Sequence, residues 1–312
     1  MTLWTEKYRP SRISDVVLPK ALTTAMNDVV KTGDIPNMIF YGGPGVGKTT
    51  VAKALIEELN GSCMMINGSD DSGIDALRTR VRNFASTASL TGGQKVVIYD
   101  EADALTAATQ AALRGFIEEF ADSCRFIFTC NHYNKLIEPL RDRCVSYDFS
   151  AAISDKEMEK MQARMFQRLT VILDGEGVEY DPAVLVAMVK HYAPRWRKLI
   201  GDLNQYSKSG KIDTGVLSIL SKDDFAELVG YMRDKNFKAV QNWVVEHGDQ
   251  DAATLIEKFY SKMRDVVKPQ SIVPLIYILN NWQYRASIVA NPEINSVDHL
   301  AQIMSGVEFK NG

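Results

Sequence analysis

Hydrophobic and polar positions alternate in blocks along the first half of the chain. Four short apolar runs are bounded by glycine or polar residues, which is typical of buried strands: Met38–Tyr41, Met64–Ile66, Val96–Tyr99 and Phe126–Thr129. After the first run, residues 51–59 place their apolar side chains on one face of a helix. Strands that alternate with amphipathic helices predict a parallel sheet with helices on both faces.

The pattern changes after residue 150, where the strand signals disappear. Residues 156–173 have the spacing of a helix, and Asp181-Pro182 is typical of a helix start. The segment Ser207–Asp213 is rich in glycine, serine and lysine, and beyond Ser221 we expect only amphipathic helices, one of them starting at Pro269. These patterns predict three parts: an α/β domain over 1–150, a small helical domain over 151–220 and an all-α domain over 221–312.

Composition limits the possible classes of protein. A hydrophobic fraction of 46% predicts an ordinary globular chain, and a net charge of −3 gives no overall nucleic-acid signature, so any basic surface must be local. The four cysteines form no CxxC pair and have no histidine at metal-ligand spacing, which favours a reducing compartment. No segment resembles a signal peptide or a membrane span. We therefore expect a cytoplasmic protein with no membrane partner.

The segment after the first predicted strand is rich in glycine. Residues 42–49 are Gly-Gly-Pro-Gly-Val-Gly-Lys-Thr, which fits G-x-x-x-x-G-K-[ST] between a strand and a helix. Backbone N–H groups in such a loop cradle phosphates, Lys48 would reach the β- and γ-phosphates, and the Thr49 hydroxyl would bind Mg²⁺. The alternative is a glycine-rich turn without a ligand. The residues expected to bind the nucleotide here are Gly45, Val46, Gly47, Lys48, Thr49 and Thr50.

Two carboxylates, Asp100 and Glu101, follow the third predicted strand. Adjacent acids at the end of a buried strand need a cation nearby, and a nucleotide-bound Mg²⁺ supplies one. Asp100 would then hold the Mg²⁺ and Glu101 would polarise the attacking water. The alternative is an acidic helix N-terminus, which is the explanation we prefer for Asp103. The sequence therefore predicts a Mg²⁺-dependent ATPase.

The order of these motifs resembles that of AAA+ ATPases. Within them, Glu6-Lys7-Tyr8-Arg9-Pro10 and Asp15-Val16-Val17 are similar to the N-terminal segments of sliding-clamp loaders, both replication factor C small subunits and T4-type bacteriophage loaders. The resemblance implies a P-loop AAA+ domain, a helical lid and a C-terminal collar that oligomerises. It also implies that the nucleotide base lies against five residues: Thr5, Glu6, Lys7, Tyr8 and Val17. The alternative is that this segment only makes ordinary apolar packing contacts.

The same resemblance implies roles for two polar residues beyond the fourth predicted strand. Asn131 would orient the attacking water, although an asparagine after a strand is more often a turn residue. Arg143 would be an arginine finger that reaches the γ-phosphate of a neighbouring subunit. Asp142 replaces the serine usual before this arginine, and the alternative role for Arg143 is a surface salt bridge.

Arg197 is expected to contact phosphate from the lid of the same chain. The resemblance to the Gly-Asp-x-Arg segment of the family is partial, because Pro194 and Arg195 replace the glycine and the aspartate. Residues 201–204 resemble this segment too, but they end in asparagine, which has no charge to offer.

Another stretch resembles the clamp-loader segment that follows the template strand. The residues expected to contact DNA are Ser72, Gly73, Ile74, Arg78 and Arg82, with Ser72 in place of the usual arginine. A solvated basic helix face is the alternative. Farther on, Gln110 lies where it would couple the acidic pair to DNA and to neighbouring subunits, whereas Arg114 and Glu118 are spaced for an ordinary helix-surface ion pair.

Together these features predict an ATP-dependent clamp-loader subunit. Its expected cofactors are ATP and Mg²⁺, and its expected partners are a sliding clamp, primer–template DNA and other loader subunits in a pentameric hetero-oligomeric ring. A phage origin would place it in the host cytoplasm. Two alternatives stay open: another AAA+ DNA motor, such as a helicase loader or a branch-migration helicase, and a structural loader subunit that does not hydrolyse ATP.

Overall fold

The computed structural model describes residues 3–69, 74–87, 92–213, 215, 224–246, 252–286 and 288–310. The chain divides into two compact units, Met1–Leu217 and Ser218–Gly312. The first unit contains a β-sheet and the helices predicted for the lid, and the described part of the second unit is built from helices. The division into three parts at residues 150 and 220 stays a prediction.

A five-stranded parallel sheet forms the centre of the first unit. Its strands are β1 (Met38–Tyr41), β2 (Ser62–Asn67), β3 (Lys95–Asp100), β4 (Arg125–Cys130) and β5 (Val145–Asp148). Their order in the sheet is β2-β3-β4-β1-β5. Because all strands are parallel, their carboxyl ends lie at one edge, where β1, β4 and β3 are consecutive neighbours.

Helices cover both faces of this sheet. They are α2 (Lys20–Thr32), α3 (Lys48–Glu58), α4 (Ile74–Ser86), α5 (Ala107–Glu119) and α6 (Glu138–Arg141), and the one-turn helix α1 (Trp4–Lys7) precedes them in the chain. Phe40 of β1 packs in a core with Leu55 of α3, whereas Val97 of β3 packs in a second core with Leu77 of α4. Burial on both faces explains why β1, β3 and β4 are continuous apolar runs, and it confirms the predicted layered architecture. The strand β2 was predicted to be buried too, but it lies at an edge of the sheet and leaves Met65 exposed.

The edge strand β5 was not predicted. It pairs with β1 alone, in a register that places Tyr41 beside Asp148. Its residues are Val-Ser-Tyr-Asp, with Val145 exposed and the other three half-buried. An edge strand buries less surface than a central one, so its sequence resembles that of a loop.

The lid begins with α7 (Asp155–Glu176), followed by α8 (Pro182–Tyr192) and α9 (Trp196–Tyr206). The side chain of Asp181 caps α8 by accepting a hydrogen bond from the Ala183 N–H at 2.8 Å, and Pro182 occupies the first turn as predicted. No strand was predicted beyond residue 150, yet β6 (Glu179–Tyr180) and β7 (Lys211–Ile212) form a short parallel ladder. Two-residue strands are too short for any periodicity to indicate them.

The second unit is built around buried aromatic side chains. Its described helices are α10 (Asp224–Arg233), α11 (Phe237–Glu246), α12 (Ala252–Val266), α13 (Ile272–Ala286) and α14 (Pro292–Gly306). Phe259 and Trp282 are fully buried and pack edge to face. Pro269 opens a single 3-10 turn that leads into α13, close to the predicted helix start. Among the described helices, none combines the length and apolar character that a membrane span requires.

Candidate active site

The carboxyl ends of β1, β3 and β4 open into one pocket. The predicted residues that line it are Thr5, Glu6, Tyr8, Val17, Gly45, Val46, Gly47, Lys48, Thr49, Thr50, Asp100, Glu101, Asn131 and Arg197. Residues that were not predicted line it too, among them Thr129, Met165, Arg168 and Trp196. This edge of an open parallel sheet is where such folds bind their ligands.

The loop between β1 and α3 presents free backbone donors to this pocket. Gly45 and Gly47 have φ angles of +77° and +107°, which side-chain-bearing residues rarely adopt. The first helical hydrogen bond of α3 runs from the Val51 N–H to the Gly47 carbonyl at 2.8 Å. Within the described part of the chain, the N–H groups of residues 45–50 donate to no protein acceptor. They form a cradle for an anion at a helix N-terminus.

Lys48 extends its ammonium along the floor of this loop. The side chain is buried, and Nζ donates hydrogen bonds to the carbonyl oxygens of Gly42 (2.7 Å) and Gly43 (2.8 Å) and to Oδ1 of Asn131 (2.9 Å). Burial lowers the pKa of Lys48, because the charged form is removed from water. The residue therefore joins the loop after β1 to the end of β4 at the point where phosphates would enter.

A hydroxyl–carboxylate group lies beside Lys48 in the pocket. The Thr49 hydroxyl donates to Oδ1 of Asp100 at 2.8 Å, and the Thr129 hydroxyl donates to the same oxygen. These are hard oxygen ligands of the kind that Mg²⁺ prefers. Among the described residues, no group of three or more His, Cys, Asp or Glu side chains is placed to hold a metal ion. The hydroxyl of Thr49 and the carboxylate of Asp100 fit Mg²⁺, which is usually held by one or two protein oxygens together with water and substrate phosphates.

Glu101 adopts an unusual backbone conformation immediately after β3. Its φ angle is +57°, and its N–H donates to the Thr129 hydroxyl at 3.3 Å. Its carboxylate oxygen Oε2 accepts a hydrogen bond from Ser69 Oγ at 2.9 Å. A Cβ at Gly68 would lie 2.3 Å from the Glu101 carbonyl oxygen, so only glycine permits the end of β2 to pass so close. The backbone of two neighbouring strands thus fixes the position of this carboxylate.

Asp103 supports the loop that carries Asn131. Its Oδ2 accepts hydrogen bonds from the N–H groups of Asn131 (3.2 Å) and His132 (3.1 Å). Asp103 lies in the first turn of a 3-10 helix, as the sequence favoured, and its carboxylate also joins that turn to the end of β4. Asp103 and Thr129 are polar residues next to predicted site residues, and that proximity is the only sequence signal that could have found them.

Arg197 lies in the first turn of α9 and faces the pocket. Its backbone N–H approaches the Gly45 carbonyl at 3.5 Å, which brings α9 against the phosphate-binding loop. Its side chain is exposed, and its guanidinium has no hydrogen bond or ion pair among the described residues. The phosphate contact of Arg197 stays a prediction, and the position of this cation at the pocket wall is compatible with it.

The N-terminal segment is only partly in the pocket. Tyr8 lines it, and the Tyr8 hydroxyl donates to Oε1 of Glu176 at 2.6 Å. Lys7 is absent from the lining and forms an ion pair with the same oxygen at 2.6 Å. The structure therefore places Lys7 against the lid helix α7 and not against the predicted base position.

Arg143 lies outside the pocket of its own chain. Its Nε and Nη2 atoms donate to Oε1 of Glu118 at 2.9 Å and 2.6 Å, and Nη1 donates to the Pro139 carbonyl at 2.9 Å. The guanidinium holds the pKa of Glu118 below its usual value. Glu118 thus pairs with Arg143, whereas its predicted alternative partner was Arg114.

The predicted DNA-contacting arginines lie on α4. Arg78 and Arg82 share one carboxylate, with Nη2 atoms 2.7 Å and 2.9 Å from the oxygens of Glu119. This pairing holds the pKa of Glu119 below its usual value. Ile74 is the first residue of α4 and is exposed, whereas Ser72 and Gly73 lie outside the described residues.

Gln110 is buried in α5 and joins two loops. Its Nε2 donates to the carbonyls of Leu105 and Lys135, both at 3.1 Å, and its Oε1 accepts from the Ile137 N–H at 2.8 Å. The side chain therefore fixes the segment after the acidic pair to the segment between Asn131 and Arg143.

Comparison with known protein families identifies two parts of the chain. Residues 38–151 match the family model described as "ATPase family associated with various cellular activities (AAA)", and residues 157–218 match that of the sliding-clamp-loader large subunit, AAA+ ATPase lid domain. The sliding-clamp-loader large subunit of Enterobacteria phage T4 is 34% identical over 98% of this chain and 96% of that protein. A replication factor C small subunit from Archaeoglobus fulgidus is 31% identical over 96% and 97%.

Solved structures add a likeness of fold. The structure of a point mutant of RuvB from Thermotoga maritima has a TM-score of 0.54 at 18% identity and covers 78% of this chain and 86% of that one. At this identity the likeness shows the AAA+ fold alone. The two family models and the near full-length relatives identify the family, and the phosphate-binding pocket agrees with them. This chain is an ATPase that belongs to the sliding-clamp-loader large-subunit family.

Proposed function

We propose that the chain is the ATP-hydrolysing subunit of a ring-shaped loader that opens a sliding clamp and places it on primer–template DNA. The observation that carries this proposal is a pocket containing Lys48, Asp100 and Glu101 from which Arg143 of the same chain is missing. Such a site needs a second subunit to complete it. The near full-length likeness to clamp-loader subunits supplies the class of assembly.

ATP binds with its phosphates in the cradle of residues 45–50. The N–H groups and Lys48 contact the β- and γ-phosphates, and Arg197 contacts the triphosphate from the lid. Thr49 and Asp100 hold Mg²⁺, which neutralises charge on the phosphate oxygens when it is bound. The base lies at the other end of the pocket, against Thr5, Glu6, Tyr8 and Val17.

Glu101 acts as the general base. Its carboxylate takes a proton from water as the water oxygen bonds to the γ-phosphorus and the bond to the leaving ADP oxygen breaks. The carboxylate accepts a hydrogen bond from Ser69 at Oε2 and keeps further acceptor capacity for the water. Asn131, whose amide oxygen accepts from Lys48, helps to place that water between the phosphate and the base.

Arg143 acts on the neighbouring subunit. In the single chain its guanidinium is held by Glu118 on an exposed surface, a kind of ion pair that exchanges readily. In the ring, it stabilises the charge that develops as the γ-phosphoryl group transfers. The C-terminal unit forms the collar of a pentameric hetero-oligomer, and the assembly works in the cytoplasm.

DNA binding couples to hydrolysis through α4 and α5. Arg78 and Arg82, together with the segment from Ser72 to Ile74, contact phosphates of the template strand. Release of Glu119 by these arginines changes the charge at the end of α5, the helix that carries Gln110. Gln110 bonds to the segments that follow Glu101 and Asn131, so a shift of α5 reaches the catalytic residues.

Steady-state ATP hydrolysis tests this function. The purified chain is assayed alone and then with primer–template DNA, a small partner subunit and the matching clamp. We expect strong stimulation that requires DNA and clamp together. Hydrolysis that responds to DNA but ignores the clamp would favour another AAA+ DNA motor, and a Glu101→Gln variant with unchanged function would favour a structural subunit that does not hydrolyse ATP.

A further inference from the structure

The lid helix α7 holds the segment that forms the base end of the pocket. Residues 8–19 contain little regular structure beyond a one-turn 3-10 helix at Ile13–Asp15, so most of their carbonyl oxygens lack helical or strand partners. Two arginines of α7, one turn apart, supply such partners. Arg164 and Arg168 therefore lie on the face of α7 that meets this segment.

The contacts are specific and involve four carbonyl groups. Arg164 Nη2 donates to the carbonyl oxygens of Ser14 at 2.8 Å and Val16 at 3.1 Å. Arg168 donates from Nη1 to the carbonyl oxygen of Asp15 at 2.8 Å and from Nη2 to that of Tyr8 at 2.6 Å. A planar guanidinium that reaches two carbonyls fixes their separation as well as their position.

One of the two arginines, Arg168, is part of the pocket wall. Arg168 and the buried Met165 both line the pocket, and Arg168 is half-buried. Burial also lowers the pKa of the Arg168 guanidinium from its usual value. Arg168 gives up part of its hydration to bind two backbone oxygens, and Arg164 binds two more. Together the two side chains hold the segment more firmly than a surface ion pair would.

The segment held in this way leaves the backbone N–H and C=O of one residue free. The carbonyls of Ser14, Asp15 and Val16 are taken by the arginines, whereas the N–H and C=O of Val17 take part in no hydrogen bond among the described residues. Val17 lines the pocket. A peptide N–H beside a C=O matches the N1 acceptor and the N6 amino donor of adenine, and it mismatches the N1–H donor and O6 acceptor of guanine.

We propose that Arg164 and Arg168 are positioning residues that hold Val17 in the orientation that selects adenine, and so make base recognition depend on the lid. This inference rests on the proposed placement of the base against Val17. It predicts that the two arginines act on base affinity and selectivity and leave phosphate binding unchanged.

Equilibrium binding of three ligands to the full chain tests the inference: ATP, GTP and inorganic tripolyphosphate, each with Mg²⁺. In Arg168→Gln we expect ATP affinity to fall by about tenfold and the ATP-to-GTP preference to approach one, with tripolyphosphate affinity unchanged. Arg168→Lys keeps the charge but loses the planar fork, and we expect it to lose the same preference. Arg164→Gln should act in the same direction. Lys160→Gln, an exposed change on the same helix, is the matched control and should alter nothing.

The outcomes separate the inference from its premise. If the wild-type chain binds ATP and GTP equally, the base placement itself is wrong. If the wild type prefers ATP and all three arginine variants keep that preference, the base placement stands and the arginines do not position it. Parallel loss of all three ligands in the variants would overturn the inference too, since it would mean that the arginines only hold the fold together.

Discussion

The nucleotide pocket and the arginine surface differ in how much of their geometry one chain supplies. We define the arginine surface as Arg78, Arg82 and Arg143 with their partners Glu118 and Glu119. In the pocket, Lys48 and Thr49 are buried and already bonded to other catalytic groups. On the arginine surface the same chain offers only exposed carboxylates, with Glu118 56% and Glu119 30% exposed.

The difference has a physical consequence. Buried charged and polar groups must keep their partners, so the pocket is assembled before any ligand arrives. Exposed ion pairs contribute little to stability, so the arginines can exchange carboxylates for phosphates of DNA or of a neighbouring nucleotide. We infer that one chain assembles the nucleotide pocket by itself, whereas hydrolysis is triggered when DNA or a neighbouring subunit binds the arginine surface.

Arg143→Ala gives the largest effect that distinguishes the two regions. In the assembled complex we expect kcat for ATP hydrolysis to fall by about 10³-fold, because the developing charge on the phosphoryl group loses its cation. The isolated monomer should keep its low activity unchanged. Steady-state assays of both forms check this prediction, and an equal loss in the verified monomer would show that Arg143 acts within its own chain.

Glu101→Gln removes the general base from the pocket. We expect kcat to fall by about 10²-fold or more in monomer and assembly alike, while ATP affinity is retained. Single-turnover hydrolysis and equilibrium ATP binding measure the two quantities. Ser69→Ala is a useful comparison, since it removes the hydrogen bond to the Glu101 carboxylate but keeps the base, and it should not lower kcat.

Arg78→Ala and Arg82→Ala act on DNA binding. We expect the double variant to bind primer–template DNA several-fold more weakly, and the slope of log affinity against log salt to fall by about one for each arginine. Neither residue lines the pocket, so any change in basal ATP hydrolysis would come from the release of Glu119. An unchanged salt slope would assign both arginines to a solvated surface that pairs only with Glu119.

Glu118→Gln should produce the smallest effect, in the opposite direction. It frees Arg143 without removing it, so we expect hydrolysis in the assembled complex to rise by less than about fivefold. Asp122→Asn removes a nearby exposed charge that is not part of an arginine pair in the described chain, and it should have no effect. A decrease in Glu118→Gln would mean that Glu118 orients the finger for transfer.

The pocket could be predicted from sequence largely because its residues belong to continuous motifs. Lys48 and Asp100 follow apolar strands, and the parallel order of those strands brings the motifs to one edge. Thr129 and Asp103 were missed because their partners come from other strands. The same holds for Arg164 and Arg168, whose acceptors are backbone carbonyls that have no sequence signature.

Other differences between expectation and structure come from the edges of elements. The strand β5 is half-buried and pairs on one side only, so its alternation was too weak to indicate it. Lys7 fits a base-binding motif, but its long side chain reaches Glu176 of the lid instead. The carboxylate with which a long charged side chain pairs depends on tertiary packing, and the local sequence pattern does not specify that packing.

Mixing two inactive variants tests the central claim most directly. Glu101→Gln subunits lack the base and Arg143→Ala subunits lack the finger, so neither should hydrolyse ATP well in an assembly of its own. In a mixed ring with DNA and clamp, an Arg143→Ala subunit that lies next to a Glu101→Gln subunit has an intact base and receives an intact finger. We predict that ATP hydrolysis is restored to a substantial fraction of the wild-type rate. Verified mixed rings that remain inactive would contradict the account, because they would mean that base and finger must belong to the same chain.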